Sequence, residues 1–546
     1  MNLTLPRRSL LLAGTLGLGA LAGPGGAVAR GLLTARGFTH AVASGEPGPT
    51  SMLLWTRYVP ASGAEASLTV EVAETPDFTR VVAGGSVTAA PDHDWTVRAM
   101  VGGLQPGRWW WYRFIAANGD ISSVGRTRTL PVGPTDRFGM GVFSCSNLPF
   151  GWFNAYAHAS ARDDLHLMVH NGDYIYEYQR GRYPDAEQAI KDRLVEPANT
   201  LIQLADYRLR YASYRADPDL QRLHRLFPMI CQWDDHEIAN DAWSGGAENQ
   251  KADDGDWTAR KAAAQKAYRE WLPVSEAPWT SYDIGDLATL FRPETRLTAR
   301  SRRLDLGEIA AGAENVAAAY VDLRDNILHD PARTMMGGEQ EAWLHGGLAQ
   351  SVRRGARWQV LTQQIVMGDL MMPPVPEGFL DGANLPPEGA GYLKGAAAAA
   401  EAGLPISLDS WSGFPAARSR LLGAAQAADA DLIVLSGDSH NAWAFDLASG
   451  GRAAGVEFAG QSVSSPGLEG YLPLPPDMVA QFLMTASPEL KWADTSRRGY
   501  MTVELRPERA VGEWVFVDTV QERSVKTGPG RFMTVMPGRR RFETEA

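Results

Sequence analysis

The sequence predicts an α/β catalytic body preceded by a small all-β domain, and three observations carry that expectation. Short runs with period-two alternation, separated by turn residues, fill positions 38 to 130 with little helical spacing. Continuous apolar runs of strand length then alternate with helical patterns, as in a buried sheet covered by helices. Four of those runs end in clusters of Asp, His, Cys, Tyr and Glu, and open α/β folds collect such strand ends at one sheet edge.

The chain has 546 residues, enough for two to four domains at about 150 residues each. With 45% hydrophobic and 21% charged residues it has a globular balance, which excludes disorder and collagen-like repeats. Only one long apolar segment is present, so a multi-spanning membrane protein is excluded as well. Lysine and arginine total 52 against 63 acidic residues, a net −11 with no basic block, so nucleic acid is not an expected partner. An acidic chain still takes an anionic substrate when metal cations reverse the local field.

Taken in order, the chain opens on an address. Pro6-Arg7-Arg8-Ser9-Leu10-Leu11 leads into a Gly-rich apolar run to Ala22, too short for a membrane span, which needs about 20 apolar residues. Paired arginines before such a run read as a twin-arginine export signal, with Ala27-Val28-Ala29 as the cleavage site and Arg30 as the new N-terminus. An ordinary secretory signal with a chance arginine pair is the plainer alternative. Loss of residues 1–29 removes Arg7 and Arg8 and no acid, which moves the net charge from −11 to −13. A periplasmic or secreted protein handed to the twin-arginine export machinery is expected. That route favours a metal site filled before export.

The expected β-domain covers residues 38–131. Ser67–Ala73 and Trp95–Val101 alternate with period two, and Gly103-Leu104-Gln105-Pro106-Gly107 turns the chain into Trp109-Trp110-Trp111-Tyr112-Arg113-Phe114. This turn and aromatic run resemble a corner of a fibronectin- or immunoglobulin-like sandwich, with the aromatics in its core rather than on a carbohydrate-binding face. Pro131 to Asp136 is the linker, residues 137–520 are the catalytic body and residues 521–546 a C-terminal tail.

Within the body, Phe138–Ser144, Leu165–His170, Phe227–Trp233, Trp358–Gln363, Leu432–Ser436 and Val456–Ala459 read as buried strands gathered in one sheet. Trp257–Trp271 and Gly338–Gln350 have helical spacing, and residues 375–404, rich in Gly, Pro and Ala, read as a loop or lid. Two cysteines in an oxidising compartment could pair. A core thiol at Cys231 and a ligand at Cys145, at a strand end, fit their positions better.

The chemistry sits in Ser144-Cys145-Ser146-Asn147, in His170-Asn171-Gly172-Asp173-Tyr174-Ile175-Tyr176-Glu177-Tyr178, in Trp233-Asp234-Asp235-His236-Glu237 and in Ser436-Gly437-Asp438-Ser439-His440-Asn441. One Gly-Asp or Asp-His pair would be turn or cap chemistry. Four clusters, each directly after an apolar strand, are not, since carboxylates buried side by side without cations cost several kcal/mol each.

The segments Phe143–Tyr156, Val169–Tyr178, Gln232–Trp243 and Leu435–Trp443 resemble the alkaline phosphatase D family of calcineurin-like metallophosphoesterases, and the likeness runs from about residue 38 to 518. The resemblance implies a four-layer sandwich, two mixed sheets flanked by helices, behind the small all-β domain. It implies an exported phosphoester hydrolase of phosphate acquisition, with monoesterase and diesterase activity. Its centre would be binuclear or trinuclear, built of ferric iron and calcium, with a hydroxide or oxide as nucleophile. A phosphodiesterase of phospholipase D type is the alternative within enzymes, and a phosphate- or glycan-binding surface protein the alternative outside them.

Placed on matching positions, Cys145 as thiolate and Tyr176 as phenolate would hold iron, and Asp173 would bridge iron and calcium. Asp438, His440 and Asp235 would complete the metal shell, with Asp234 either a further calcium ligand or an outer contact. His236 would protonate the leaving alcohol, or else bind or orient the metals. Arg324, in Asp322-Leu323-Arg324-Asp325, matches an Asp-x-Arg element of the family. With Asn147 it would contact phosphate, a structural ion pair being the equal alternative. Asp173 and Tyr176, three residues apart, would face one site if the chain turns helically after Gly172. Two features depart from the family pattern. Asn171 stands where relatives carry an apolar residue, and the chain ends in Arg539-Arg540-Arg541 without a long amphipathic helix to cover a site.

Overall fold

The computed structural model describes residues 24–375, 387–472 and 474–544. The expected export signal therefore lies outside the described residues as far as Gly23, and Ala29 falls in the helix Pro24–Thr34. In the β-domain, β1 (Gly37–Gly45), β2 (Met52–Val59) and β5 (Thr96–Val101) form one antiparallel sheet. The other holds β3 (Ala66–Ala73), β4 (Val81–Ala89), β6 (Trp109–Ala116) and β7 (Gly125–Arg128), in the order β4-β3-β6-β7. Alternation along β6 decides which aromatics are core. Trp110, Tyr112 and Phe114 are buried with Leu68, Val70 and Val72, whereas Trp109 packs on Phe227 of the body at 5.9 Å under the guanidinium of Arg126.

The body holds two sheets, as the family resemblance implies, and not the single sheet that the apolar runs alone suggest. The first contains β8 (Phe138–Phe143), β9 (Leu167–His170), β10 (Met229–Cys231), β18 (Gly499–Leu505), β19 (Ala510–Phe516) and β20 (Arg531–Val535), in the order β10-β9-β8-β18-β19-β20. The second contains β11 (Thr280–Ile284), β12 (Ala288–Arg292), β13 (Trp358–Thr362), β14 (Leu432–Ser436), β15 (Ala442–Ser449), β16 (Arg452–Ala459) and β17 (Leu490–Asp494), in the order β11-β12-β13-β14-β16-β15-β17. Both are mixed: β8, β9 and β10 run parallel, as do β12, β13, β14 and β16, while the other strands pair antiparallel. Continuous apolar runs mark burial on both faces, and that is why the composition of the strands could not separate one sheet from two.

The inner faces of the two sheets share one core, with Met140, Val142 and Val169 among Val360, Ile433 and Phe458. The Trp514 indole nitrogen donates across it to the Ala459 carbonyl at 2.9 Å. Helices Leu204–Arg215, Pro218–Leu226 and Trp257–Trp271 cover the first sheet, and Gly338–Arg353, Pro415–Ala427 and Pro476–Ala486 cover the second. Four layers result.

Two segments differ from the sequence expectation. The stretch 375–404 is not all loop: Pro387–Glu401 is a helix whose end is the run Ala396–Ala400, the strongest helix former, while residues 376–386 lie outside the described residues. The expected tail, as far as Thr544, belongs to the body, because β20 extends the first sheet and Phe542 packs edge-on against Phe458 at 5.0 Å. Among the described residues, the last helix is Pro476–Ala486.

Candidate metal centre

Parallel strands present their C-terminal ends on one side, and the candidate residues follow those ends. Cys145 lies just past β8, Asp173 past β9, Asp234, Asp235 and His236 past β10, and Asp438 and His440 past β14. Asn171 stitches the two sheets together beneath them. Its side-chain amide donates to the Leu435 carbonyl at 3.1 Å, and its oxygen accepts from Gln232 and Thr362, each at 2.7 Å. An apolar residue there would leave the Gln232 amide and the Thr362 hydroxyl unpaired, while the Leu435 carbonyl keeps the Gln363 N–H.

Close approach explains Gly172. Its φ is +100°, and a Cβ there would meet the Cβ of Asp234 at 2.4 Å, so the second and third strand-end loops touch only through a glycine. Cys145, Asp173, Asp438 and His440 all have φ between 54° and 63°, an uncommon conformation for non-glycine residues that gathers at functional sites. The Glu237 carboxylate ties the loops, accepting from the backbone of Asp173, Tyr174 and Asp234.

Three groups of donor atoms result, each within 4.8 Å: Cys145, Asp173 and His440; Asp173, Asp235 and His236; Asp234, Asp235 and Asp438. Asp173 belongs to the first two and Asp235 to the last two. The Tyr176 hydroxyl stands alongside, 3.0 Å from Asp173 Oδ2, 3.2 Å from His440 Nε2 and 2.8 Å from Ser465 Oγ. It gets there without the expected helical turn, since the chain from 171 to 180 is irregular. Nearly all these residues are buried, and Asp173 Oδ1, Asp234 Oδ2 and Asp235 Oδ1 have no hydrogen-bond partner. Orphaned anionic oxygens facing a thiol, a phenol and imidazoles fit metal cations, which would satisfy what no protein donor does.

The electrostatics agree. Burial, and then Asp173, push the Cys145 thiol and the Tyr176 phenol well above their usual ranges. Burial raises Asp438 to about 7 and lowers His440 to about 3. Without cations the thiol, the phenol and Asp438 thus favour their neutral forms, and added positive charge is what would ionise them, whereas Asp235 is held below the usual carboxylate range by His236 and Arg296 against its burial. His236 goes the other way. Burial opposes its charge, but Asp235, Asp173 and Glu177 push its pKa well above the ordinary histidine value. Its Nδ1 lies 2.8 Å from Glu177, and its ring lies 4.4 Å from that of Tyr176.

Sequence reasoning missed Arg296. Fully buried, it lies 2.5 Å from Asp234 and from Asp409 and 3.1 Å from Asp438, with Asp235 at 3.8 Å. It follows β12, another of the parallel strands, so the rule that found the four clusters would have found it had β12 been read as a strand. Arg324, the expected phosphate contact, is elsewhere. It is half-buried, pairs with Asp325 at 2.6 Å and donates to the Ala402 carbonyl at 2.9 Å, partners that are not site residues. A local ion pair explains it. Asn147 is buried beside the tyrosines, donating to the Tyr183 carbonyl at 3.4 Å, and is not part of a donor group. Cys145 and Cys231 are both free thiols, so no disulfide joins them.

The model of the PhoD-like phosphatase family matches residues 140–514, and that of the PhoD-like N-terminal domain matches residues 27–131. The chain belongs to the PhoD-like phosphatase family. It is 31% identical over 455 residues to alkaline phosphatase D of Bacillus subtilis (strain 168), covering 79% of this chain and 70% of that protein. A solved structure of PhoD superposes with a TM-score of 0.77 at 26% identity, over 93% of this chain and 92% of that one. A purple acid phosphatase from yellow lupin seeds, at 13% identity, shares the fold with a TM-score of 0.54 over 91% of this chain and 73% of its own. This PhoD-like chain is a phosphoric ester hydrolase with the metallophosphoesterase sandwich.

Proposed function

We propose that the chain is an exported hydrolase of phosphomonoesters and phosphodiesters whose centre takes ferric iron and calcium. The sharing of Asp173 between two donor groups carries this reading. Cys145, His440 and the adjacent Tyr176 on one side suit ferric iron, while the carboxylates of Asp235, Asp438 and Asp234 on the other suit calcium, which takes oxygen ligands. Asp234 gives one oxygen to Arg296 and keeps the other free, so it is placed to serve as a ligand. When bound, the ions supply positive charge to the phosphoryl oxygens and activate the attacking water.

The protein's own residues handle the leaving group. Glu177 holds His236 by Nδ1 and is itself fixed by the Asn240 backbone at 2.9 Å and the Asn249 amide at 2.6 Å. That leaves Nε2 as the nitrogen available to give a proton to the departing alkoxide. Asn147, whose side-chain nitrogen gives one hydrogen to the Tyr183 carbonyl, has a second amide hydrogen with which to orient the ester. The paired arginines Arg7 and Arg8 before the apolar run support export by the twin-arginine route. Among the described residues no helix is long and apolar enough to cross a membrane.

Metal analysis of the protein purified from its export route tests the centre, with iron and calcium expected; fully active protein holding zinc alone overturns it. Calcium exchanges readily from oxygen-rich sites, so EGTA should abolish activity while most iron stays bound, and added calcium should restore activity better than zinc does. Activity that survives prolonged chelation would count against calcium. Thiolate and phenolate ligation of ferric iron gives a charge-transfer band in the visible. Cys145→Ser and Tyr176→Phe, measured in parallel, should each shift or weaken it, and a band indifferent to both would remove these ligands.

A further inference from the structure

Beside the centre lies an apolar pocket of about 570 Å³, lined by side chains that include Met372, Ile406, Leu468, Leu472 and Phe482, with Tyr471 at its edge. Among the described residues none of its lining side chains is charged, although 21% of the chain is. The volume is that of an ordinary small-ligand site, and a lining without charged side chains suits an apolar group.

Its position relative to the centre is what gives it meaning. One stretch of chain serves both. Ser465 meets the Tyr176 hydroxyl at 2.8 Å, and the Pro466 carbonyl lies 2.8 Å from His440 Nδ1. The Leu468 backbone nitrogen then donates to Asn441 at 3.1 Å, and Leu468, Tyr471 and Leu472 form the pocket wall. A tyrosine path connects the same two places. The ring of Tyr183 lies 5.8 Å from that of Tyr176, and its hydroxyl accepts from Tyr471, itself 60% exposed, at 3.1 Å.

We infer that this pocket is a subsite for an apolar ester group. The favoured substrate carries an alkyl chain on its phosphate, and that chain runs along Tyr183 and Tyr471 from the metal centre into the pocket. The inference rests on the reading of the centre as the place of phosphoester hydrolysis and names the substrate class of that site. Each methylene moved from water into the pocket is worth at most about a four-fold gain in binding, until the pocket is full.

The test is a series of 4-nitrophenyl alkyl phosphodiesters from methyl to octyl, kept below micelle-forming concentrations, with the metal-loaded enzyme. In the wild type kcat/KM is expected to rise roughly two- to four-fold per methylene over the first several carbons. Phe482→Asp, which places a charge in the pocket, should flatten the series, lowering the octyl-to-methyl ratio by at least about 30-fold. Tyr471→Asp, at an exposed position that tolerates the change, should lower the same ratio if Phe482→Asp fails to fold. Binding of methyl and octyl phosphonates, which are not hydrolysed, reads the pocket independently of turnover. A flat wild-type series with the methyl ester still hydrolysed overturns the subsite and leaves the hydrolase reading standing. If no diester is hydrolysed the diesterase reading fails, and equal binding of the two phosphonates would then overturn the subsite as well. A folded Phe482→Asp protein that keeps the wild-type slope also overturns it.

Discussion

Asp173→Asn should abolish turnover of both monoesters and diesters, with a loss of roughly 10²- to 10⁴-fold and a parallel loss of both kinds of metal ion. The range follows from removing one charged partner from a buried ionic cluster, about 3–5 kcal/mol, at one decade per 1.36 kcal/mol. Asp173 is the residue to change because it belongs both to the group with Cys145 and His440 and to the group with Asp235 and His236. Its Oδ1 is buried and unpaired, and its Oδ2 accepts from the Tyr176 hydroxyl. An amide keeps the shape and a hydrogen-bond acceptor but removes the charge. Substitutions at Asp438 or Cys145 touch one group each and should spare more of the metal. The measurement pairs iron and calcium content with kcat/KM on a nitrophenyl monoester and its bis-ester, with far-ultraviolet circular dichroism as a check of folding. Full metal content with rates within ten-fold of wild type would show that Asp173 is not the shared ligand.

The strand ends were legible in the sequence because the chemistry there conflicts with turn formation alone. Cys145, Asp173, Asp235, His236, Asp438 and His440 all fall in the three donor groups, since each follows a parallel strand whose end faces the same way. The resemblance implied two sheets, but which strand joins which sheet could not be read from the strands themselves. Leu432–Ser436 and Phe138–Phe143 are equally apolar, and only the pairing of β8 with β18, more than 350 residues away in sequence, separates them. Arg296 went unseen for a related reason. Its strand, Ala288–Arg292, carries a Thr and ends in Arg, so it lacks the continuous apolar look of the others, although all five of its residues are buried. Arg324 shows the converse case, a short motif match without a strand before it, and its partners fit the ion-pair alternative. It sits on a π-helical turn, Leu323–Ile327, where its neighbour Asp325 is a sufficient partner. The helix within 375–404 was hidden by glycines and prolines around an alanine run whose propensity is the stronger signal.

His236→Ala separates proton donation from metal binding through its dependence on the leaving group. A nitrophenolate departs without help because its conjugate acid is already strong, whereas an alkyl alkoxide needs a proton in the transition state. General-acid catalysis is typically worth about 10² to 10⁴ in rate. Turnover of an alkyl phosphate should therefore fall by that factor, while a nitrophenyl ester loses far less and the metal content is unchanged. The geometry supports the donor role. Glu177 holds Nδ1 at 2.8 Å, Tyr176 and Tyr178 pack on the ring at 4.4 and 5.3 Å, and the surrounding carboxylates favour the imidazolium. Glu177→Gln should then show a weaker version of the same pattern, because an amide still orients the ring but no longer stabilises its charge. If His236→Ala slows both substrates equally and metal is lost, His236 is a ligand. If both slow equally with metals intact, it acts on phosphoryl charge rather than on the leaving group, and the general-acid assignment falls.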